Sequence, residues 1–234
     1  ILPIKEFASD FYIFMSTAKG VVKKVPLDQF SRPRANGIIA ADISDGDHLV
    51  GVDVTDGTRD IMLFTDAGKV IRFHEDSVRP MGRTARGVRG VKLKDGQAVI
   101  SLIIAKPEGA ILTATENGYG KRTPIDDYRA TGRGGQGVIS IQISARNGRV
   151  IGAVQVTDNE EIMMITNGGT LVRTAVKEVS VVGRNTQGVR LINTKGQEKL
   201  IEIERVIETD DDEAGEDTDE TMGHTEAHPD DTSD

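Results

Sequence analysis

The feature that most constrains this sequence is an internal repeat of about 50 residues. Turn glycines recur in four copies with spacings of 48, 50 and 51 residues, at Gly20, Gly68, Gly118 and Gly169. A second series has spacings of 50, 50 and 51 residues, at Gly37, Gly87, Gly137 and Gly188. A third series marks further turns, at Gly46, Gly96, Gly148 and Gly196. Three glycine series in phase indicate that each copy is one supersecondary unit.

Each copy consists of short runs rich in β-branched residues, which favour strands. In the second copy these runs cover 61–64, 70–73, 88–93 and 98–104. Gly, Asp and Asn separate the runs and supply the positive φ angles that tight hairpins need. No window shows a sustained helical period. The sequence therefore predicts an all-β, propeller-like fold with about four strands per blade, and a solenoid is the alternative.

The repeat phase divides the chain into one β-domain, 1–206, and a tail. Four complete blades are predicted, at about 11–59, 60–109, 110–160 and 161–206. Residues 1–10 are interpreted as the end of an earlier blade, because 1–7 resembles the apolar segment 49–54 that ends the first copy. We therefore expect more blades in the parent protein. Residues 207–234 are predicted to be a disordered acidic tail.

The net charge of −8 is distributed very unevenly along the chain. Residues 208–234 hold 13 of the 37 acids, and no Lys or Arg follows Arg205. This leaves 24 acids against 29 bases in residues 1–207, a body of about +5. A basic body indicates a polyanionic partner, although a run of charge is also typical of a merely solvated face.

The bases recur in phase with the glycines. Four residues after each turn glycine stand Lys24, Arg72, Arg122 and Arg173, the first basic column. A further lysine precedes three of these bases by one to three residues: Lys23, Lys69 and Lys121. Four residues before the second glycine stand Arg83, Arg133 and Arg184, the second basic column. The predicted DNA-binding set is completed by five arginines outside the columns, Arg32, Arg34, Arg86, Arg89 and Arg129.

A base at the same phase of every blade would lie at the same height around the molecule, so the columns predict a belt of positive charge. Such a belt would bind DNA phosphates without sequence preference, and glycines would let backbone N–H groups approach them. No segment resembles a recognition helix, so base-specific contacts are not expected. The alternative is that the bases pair with neighbouring acids and only keep the rim soluble.

Several other functions find little support in the sequence. The absence of Cys excludes disulfides and thiolate metal sites, and no apolar stretch is long enough to span a membrane. A signal peptide is not recognisable at the start, so we expect a cytoplasmic protein. The four histidines lack the spacing of a structural metal site, and no phosphate-binding loop of the P-loop type occurs. An enzyme or a protein-binding scaffold built on a propeller remains an alternative, but Trp is absent and aromatics are only 4%.

Four segments resemble the C-terminal domain family of bacterial DNA gyrase A subunits: 117–123, 137–141, 162–166 and 182–189. The similarity covers essentially all of 1–206. It implies a six-bladed β-pinwheel whose blades exchange a strand and whose outer rim wraps double-stranded DNA, supporting ATP-dependent negative supercoiling. The corresponding protein of topoisomerase IV is the alternative.

The resemblance also implies partners and cofactors. The complete enzyme would contain two A subunits and two B subunits, with ATP and Mg²⁺ bound outside this chain, and its cleavage tyrosine would lie upstream. The hallmark heptapeptide of the family's first blade is absent, and 131–137 is similar to a degenerate copy of it. We therefore expect this chain to bind DNA but to wrap it poorly. Competition between the acidic tail and DNA is a further hypothesis.

Overall fold

A computed structural model describes residues 2–206, and these form short strands joined by turns. Its strands follow in order β1 Tyr12–Thr17, β2 Val21–Pro26, β3 Leu49–Thr55, β4 Asp60–Thr65, β5 Lys69–His74, β6 Val88–Arg89, β7 Val99–Ala105, β8 Ala110–Thr115, β9 Tyr119–Pro124, β10 Val138–Ile139, β11 Val150–Val156, β12 Glu161–Thr166, β13 Leu171–Ala175, β14 Val189–Arg190 and β15 Leu200–Val206. The helices are single 3-10 turns after each second strand of a repeat, at Leu27–Phe30, Glu75–Ser77, Ile125–Asp127 and Val176–Glu178. The all-β prediction is confirmed.

The strands form four antiparallel sheets, one for each repeat. Their orders are β3-β1-β2-β6, β10-β5-β4-β7, β11-β8-β9-β14 and β13-β12-β15. In the first three sheets the outermost strand comes from the following repeat, as β6 does when Val88 pairs with Val22. The strand exchange implied by the family resemblance is therefore present. We call each such contact between consecutive repeats an exchange junction.

The sheets stack face to face, so the central strand of a blade is buried on both sides. In β4, Ile61 and Leu63 pack with the first blade, while Met62 and Phe64 pack with the third. This explains why the strands read as continuous apolar runs rather than as alternating ones. The inner strands β3, β7, β11 and β15 contact one another in order around a central cavity. The prediction of a propeller is confirmed, and the alternative of a solenoid is wrong.

Glycines make the exchange junctions possible. Gly137 has φ +70°, and a Cβ atom there would lie 2.2 Å from the carbonyl oxygen of Val70 in the preceding blade. Gly68 has φ +73°, and its Cβ would lie 2.3 Å from the carbonyl oxygen of Ile141 in the following repeat. Two backbones meet at these places, so the glycines serve blade-to-blade packing, whereas the sequence had suggested contact with phosphate.

Two details of the predicted architecture differ in the structure. Residues 2–7 form no strand, since no described strand lies beside them to complete a ladder, although Leu2 and Ile4 still pack against Ile13 and Met15 of the first blade. Within residues 2–206, the sheet of the fourth repeat has three strands, β13-β12-β15, where the other sheets have four. The predicted tail, 207–234, lies outside the described residues.

Candidate nucleic-acid interface

Three members of the first basic column, Lys24, Arg72 and Arg122, lie inside the exchange junctions. Lys24 Nζ donates to the carbonyl oxygen of Glu75 at 3.2 Å, at the 3-10 turn of the next repeat. Arg72 Nη1 donates to the carbonyl oxygens of Ile125 and Tyr128, at 2.9 and 3.1 Å. Arg122 Nε makes the corresponding contact with the carbonyl oxygen of Val179, at 2.7 Å. Each base thus holds the backbone that enters from the following repeat.

Each base of this column also forms an ion pair with a carboxylate. Arg72 Nε lies 2.8 Å from Asp60 Oδ2, and Arg122 pairs with Asp158. Arg173, in the last blade, pairs with Glu161 and is half-exposed. Glu75, one of the acids in the 3-10 turns, pairs with Lys24 of this column. Lys24–Glu75 is the pair that crosses a junction, whereas Arg72, Arg122 and Arg173 each pair with an acid of their own repeat.

The lysines beside the column are buried with it. Lys121 Nζ donates to the carbonyl oxygens of Gly183 and Arg184, each at 2.7 Å, and its side chain is 0% exposed. Burial, with repulsion from Arg184, lowers the pKa of Lys121 to about 8, while Asp127 acts in the opposite direction. Lys23 contacts the carbonyl oxygen of Arg83 in the same way, and burial lowers its pKa too. Lys69 is half-buried.

The second basic column reaches backwards across the same junctions. Arg83 Nη1 donates to the carbonyl oxygen of Ile39 at 2.8 Å, in the preceding repeat. Arg133 and Arg184 make the equivalent bonds to Arg89 and Ile139, at 2.6 and 2.9 Å. All three acceptors lie two residues after the second glycine of their repeat. These three arginines are half-buried, and Arg133 Nε also donates to the carbonyl oxygen of Ser77, at 3.1 Å.

The two columns therefore differ from the belt predicted from repeat phase. Lys23, Lys24, Lys121 and Arg122 are at most 6% exposed and are already bonded to protein groups. They are not placed to reach a phosphate, and we leave these four out of the interface proposed below. Repeat phase gives the height of a residue but not its depth, which is why the sequence could not separate buried bases from exposed ones.

The remaining predicted residues lie at the surface. Arg32, Arg34, Arg89 and Arg129 are exposed, and their side chains form no ion pair within 2–206. Arg86 is exposed and lies 3.0 Å from Asp42. Arg89 and Arg129 belong to the exchanged segments, which run along the outer edge of successive sheets. These residues form the part of the predicted set that solvent, and hence a ligand, can reach.

Sequence reasoning missed a second group of surface arginines. Arg146 and Arg190 are both exposed, and their guanidinium carbons lie 4.7 and 4.9 Å from the centre of the Tyr119 ring. Arg190 Nη2 also donates to the Tyr119 hydroxyl at 2.5 Å. The hydrogen bond from Arg146 and the charge of both arginines lower the pKa of Tyr119. Arg190 lies at the same repeat phase as Arg89, two residues after the second glycine, so that phase could have found it, whereas Arg146 belongs to neither basic column.

Other candidate sites remain without support in the described part of the chain. No group of three or more His, Asp or Glu side chains within 2–206 is arranged to hold a metal ion. Tyr128 is buried beside Ser140, and burial raises the pKa of its hydroxyl. The described residues contain no helix long and apolar enough to cross a bilayer.

This architecture defines the class of the protein: a β-propeller with exchanged outer strands, whose outer edge carries exposed arginines. A family model described as "DNA gyrase C-terminal domain, beta-propeller" matches each of its four repeats, at 12–56, 59–106, 110–157 and 160–207. The chain belongs to this family.

Curated relatives agree with the family model. The DNA gyrase A subunit of Salmonella typhimurium is 59% identical over 213 residues, which are 91% of this chain and 24% of that protein. The DNA gyrase A subunit of Haemophilus influenzae is 49% identical over 246 residues, covering 93% of this chain and 28% of that protein. The chain thus spans about a quarter of the length of these relatives.

Two solved structures share the fold. The structure titled "Structure of DNA gyrase A C-terminal domain" aligns with a TM-score of 0.78 at 24% identity, over 87% of this chain and 68% of the other. The C-terminal domain of DNA topoisomerase IV aligns with a TM-score of 0.82 at 25% identity, over 88% of this chain and 64% of the other. The higher identity to the gyrase relatives favours gyrase over the topoisomerase IV alternative.

Proposed function

We propose that this chain binds double-stranded DNA along its outer edge, without sequence preference. The observation that carries the proposal is the placement of exposed arginines without ion pairs on the exchanged segments of successive blades, with Arg89 and Arg129 as the central examples. Arg83, Arg133 and Arg184 add half-buried arginines along the same edge, and Arg32 and Arg34 extend it into the first repeat.

The chemistry of these groups suits a phosphate backbone. A guanidinium group presents paired N–H donors that match phosphate oxygens and keeps its charge at every relevant pH. Their spread over several blades would let a duplex follow the curved edge, and each neutralised phosphate releases counterions. Bending the duplex costs several kcal/mol, which such contacts must offset. The described residues contain only single-turn helices, so none can enter a groove as a recognition helix.

The role of the complete protein is part of this proposal. Its relatives are gyrase A subunits, so the chain would serve as the DNA-wrapping part of such a subunit. The complete enzyme would be a cytoplasmic assembly of two A and two B subunits that supercoils DNA with ATP. The described residues offer no metal-binding cluster. As the family resemblance implies, we propose that Mg²⁺ and ATP are bound by other parts of that enzyme, and we derive no catalytic step here.

Fluorescence anisotropy with a labelled random-sequence duplex across a salt series tests the proposal. We expect affinity to fall steeply with salt, and the slope of log K against log[salt] to decrease by about 0.9 for each phosphate contact removed. Arg89→Gln and Arg129→Gln should each weaken binding in this way. Arg205→Gln is the matched control, because Arg205 lies 2.9 Å from Glu160 at the opposite end of its sheet. No binding at low salt would contradict the proposal.

A further inference from the structure

The third blade carries one cluster of cations that the repeat does not explain. Tyr119 follows a turn glycine, where the other repeats have Val21, Lys69 and Thr170, so no other copy has an aromatic ring there. The ring is only 6% exposed because Arg146 and Arg190 cover it. The other repeats form their blades without an aromatic ring at this position, so the blade fold does not require one there.

The two guanidinium groups come from segments far apart in sequence. Arg146 lies in the loop before β11, within the third repeat, while Arg190 ends β14, the strand that the fourth repeat gives to the third sheet. The exchange junction between these repeats is therefore what brings them to one ring. Arg190 lies on the outermost strand of its sheet, on the same outer edge as Arg89, the equivalent residue of β6, and the loop that carries Arg146 reaches the same ring.

The cluster has excess positive charge. Neither Arg146 nor Arg190 forms an ion pair with any residue in 2–206, and the other polar contact of the Arg190 side chain is with Asn193 Oδ1, at 3.2 Å. Two guanidinium groups held at one ring repel each other, and the attraction of the ring face and hydroxyl offsets only part of this cost. An anion at this place would relieve the repulsion and accept hydrogen bonds from both groups.

We propose that Arg146 and Arg190, positioned by Tyr119, form a phosphate clamp for the DNA backbone on the third blade. The inference rests on the proposed DNA binding and adds to it a defined site outside the repeated basic columns. Both arginines have donors free to engage a phosphate oxygen pair, and Tyr119 acts as a positioning residue. The ring holds the guanidinium planes before DNA arrives, which reduces the side-chain entropy lost on binding.

Duplex affinity of the full chain across a salt series is the primary test. Arg146→Gln and Arg190→Gln should each lower the affinity several-fold at low salt, and each should reduce the salt slope by about 0.9. Arg205→Gln, which removes one positive charge at the opposite end of a blade, should leave both quantities unchanged. The Tyr119→Phe variant keeps the ring but loses the hydroxyl that binds Arg190, so a smaller loss of affinity is expected.

A spectroscopic titration gives an independent readout at the site. The arginines lower the pKa of the Tyr119 hydroxyl, and a bound phosphate would shield it from their charge. Adding duplex should therefore raise this pKa towards its ordinary value, with the Tyr119 signal assigned by difference from Tyr119→Phe. A tyrosine that only supported the fold would not respond to DNA in this way.

The outcomes separate this inference from the broader proposal. If the wild-type chain binds and Arg89→Gln weakens it, while Arg146→Gln and Arg190→Gln behave like Arg205→Gln, the clamp is overturned and the DNA-binding proposal stands. If Arg146→Gln and Arg190→Gln weaken binding but Arg89→Gln does not, the clamp stands and the wider surface must be redrawn. Failure of the wild-type chain to bind at low salt would overturn both.

Discussion

The ammonium nitrogen of Lys24 lies 3.4 Å from Oε2 of Glu75, and both side chains are withdrawn from solvent, at 4% and 0% exposure. This ion pair joins the first repeat to the second. Glu75 begins its 3-10 turn where the other repeats have the buried apolar residues Leu27, Ile125 and Val176. One junction is thus built on charge at a place where the others are built on apolar packing.

We predict that Glu75→Gln destabilises the domain by about 3–5 kcal/mol, because it leaves the ammonium of Lys24 buried without its counter-charge. Urea unfolding followed by circular dichroism measures this. The combined variant Lys24→Met with Glu75→Leu, which copies the apolar character of the other junctions, should be close to the wild type or more stable. Equal stability of Glu75→Gln and the wild type would show that the pair contributes nothing to the junction.

Lys121 should make stability depend on alkaline pH. Its pKa is about 8 in the folded chain and ordinarily 10.5, so between these values the unfolded chain binds more protons. Stability from this group therefore rises with pH across that window, in total by on the order of 3 kcal/mol. The quantity to measure is the free energy of unfolding of the wild type minus that of Lys121→Met, which should increase from pH 8 to pH 10.5. If this difference in the free energy of unfolding did not change with pH, the lowered pKa of a buried Lys121 would be contradicted.

Two glycines with similar backbone angles should respond differently to Ala. Gly37 has φ +79° with nothing within 4 Å of an added Cβ, so Gly37→Ala should cost only the left-handed backbone penalty, about 1–2 kcal/mol. Gly137 has φ +70° and a backbone oxygen 2.2 Å from the added Cβ. Gly137→Ala must also displace the pairing of Val138 with Val70, so its cost should be clearly larger. Thermal unfolding of both variants makes the comparison, and equal costs would refute the close approach.

Substituting a buried junction arginine and substituting an exposed arginine should have opposite effects on stability and on DNA binding. Arg122→Met leaves the carbonyl of Val179 without its donor, so we expect a loss of about 1–3 kcal/mol in stability with little change in the salt slope of DNA binding. Arg129→Gln should do the reverse, because Arg129 is exposed and outside the junction bonds. Measuring unfolding and DNA affinity for both variants checks this. A large change in salt slope for Arg122→Met at full stability would return Arg122 to the DNA surface.

Much of the architecture could be predicted because it depends on local sequence patterns. The glycine series and the double-sided apolar runs such as Ile61 to Phe64 gave the repeat, the strands and the propeller class. Resemblance to the family supplied the strand exchange, which β6, β10 and β14 confirm. The prediction of a strand at the start of the chain is wrong for residues 2–7, because a strand forms only beside a partner and local propensity does not supply one.

The sequence alone determined which residues repeat, and therefore which residues lie at equivalent positions of the blades. Only the tertiary structure decided what those residues do. The exchange of a strand leaves backbone carbonyls facing the preceding blade, and buried carbonyls need donors, so Lys24, Arg72 and Arg122 point inwards to satisfy them. The same exchange brings Arg190 beside Tyr119, 71 residues away, a contact that repeat phase alone does not reveal. Depth and long-range proximity are properties of packing, and a one-dimensional repeat carries neither.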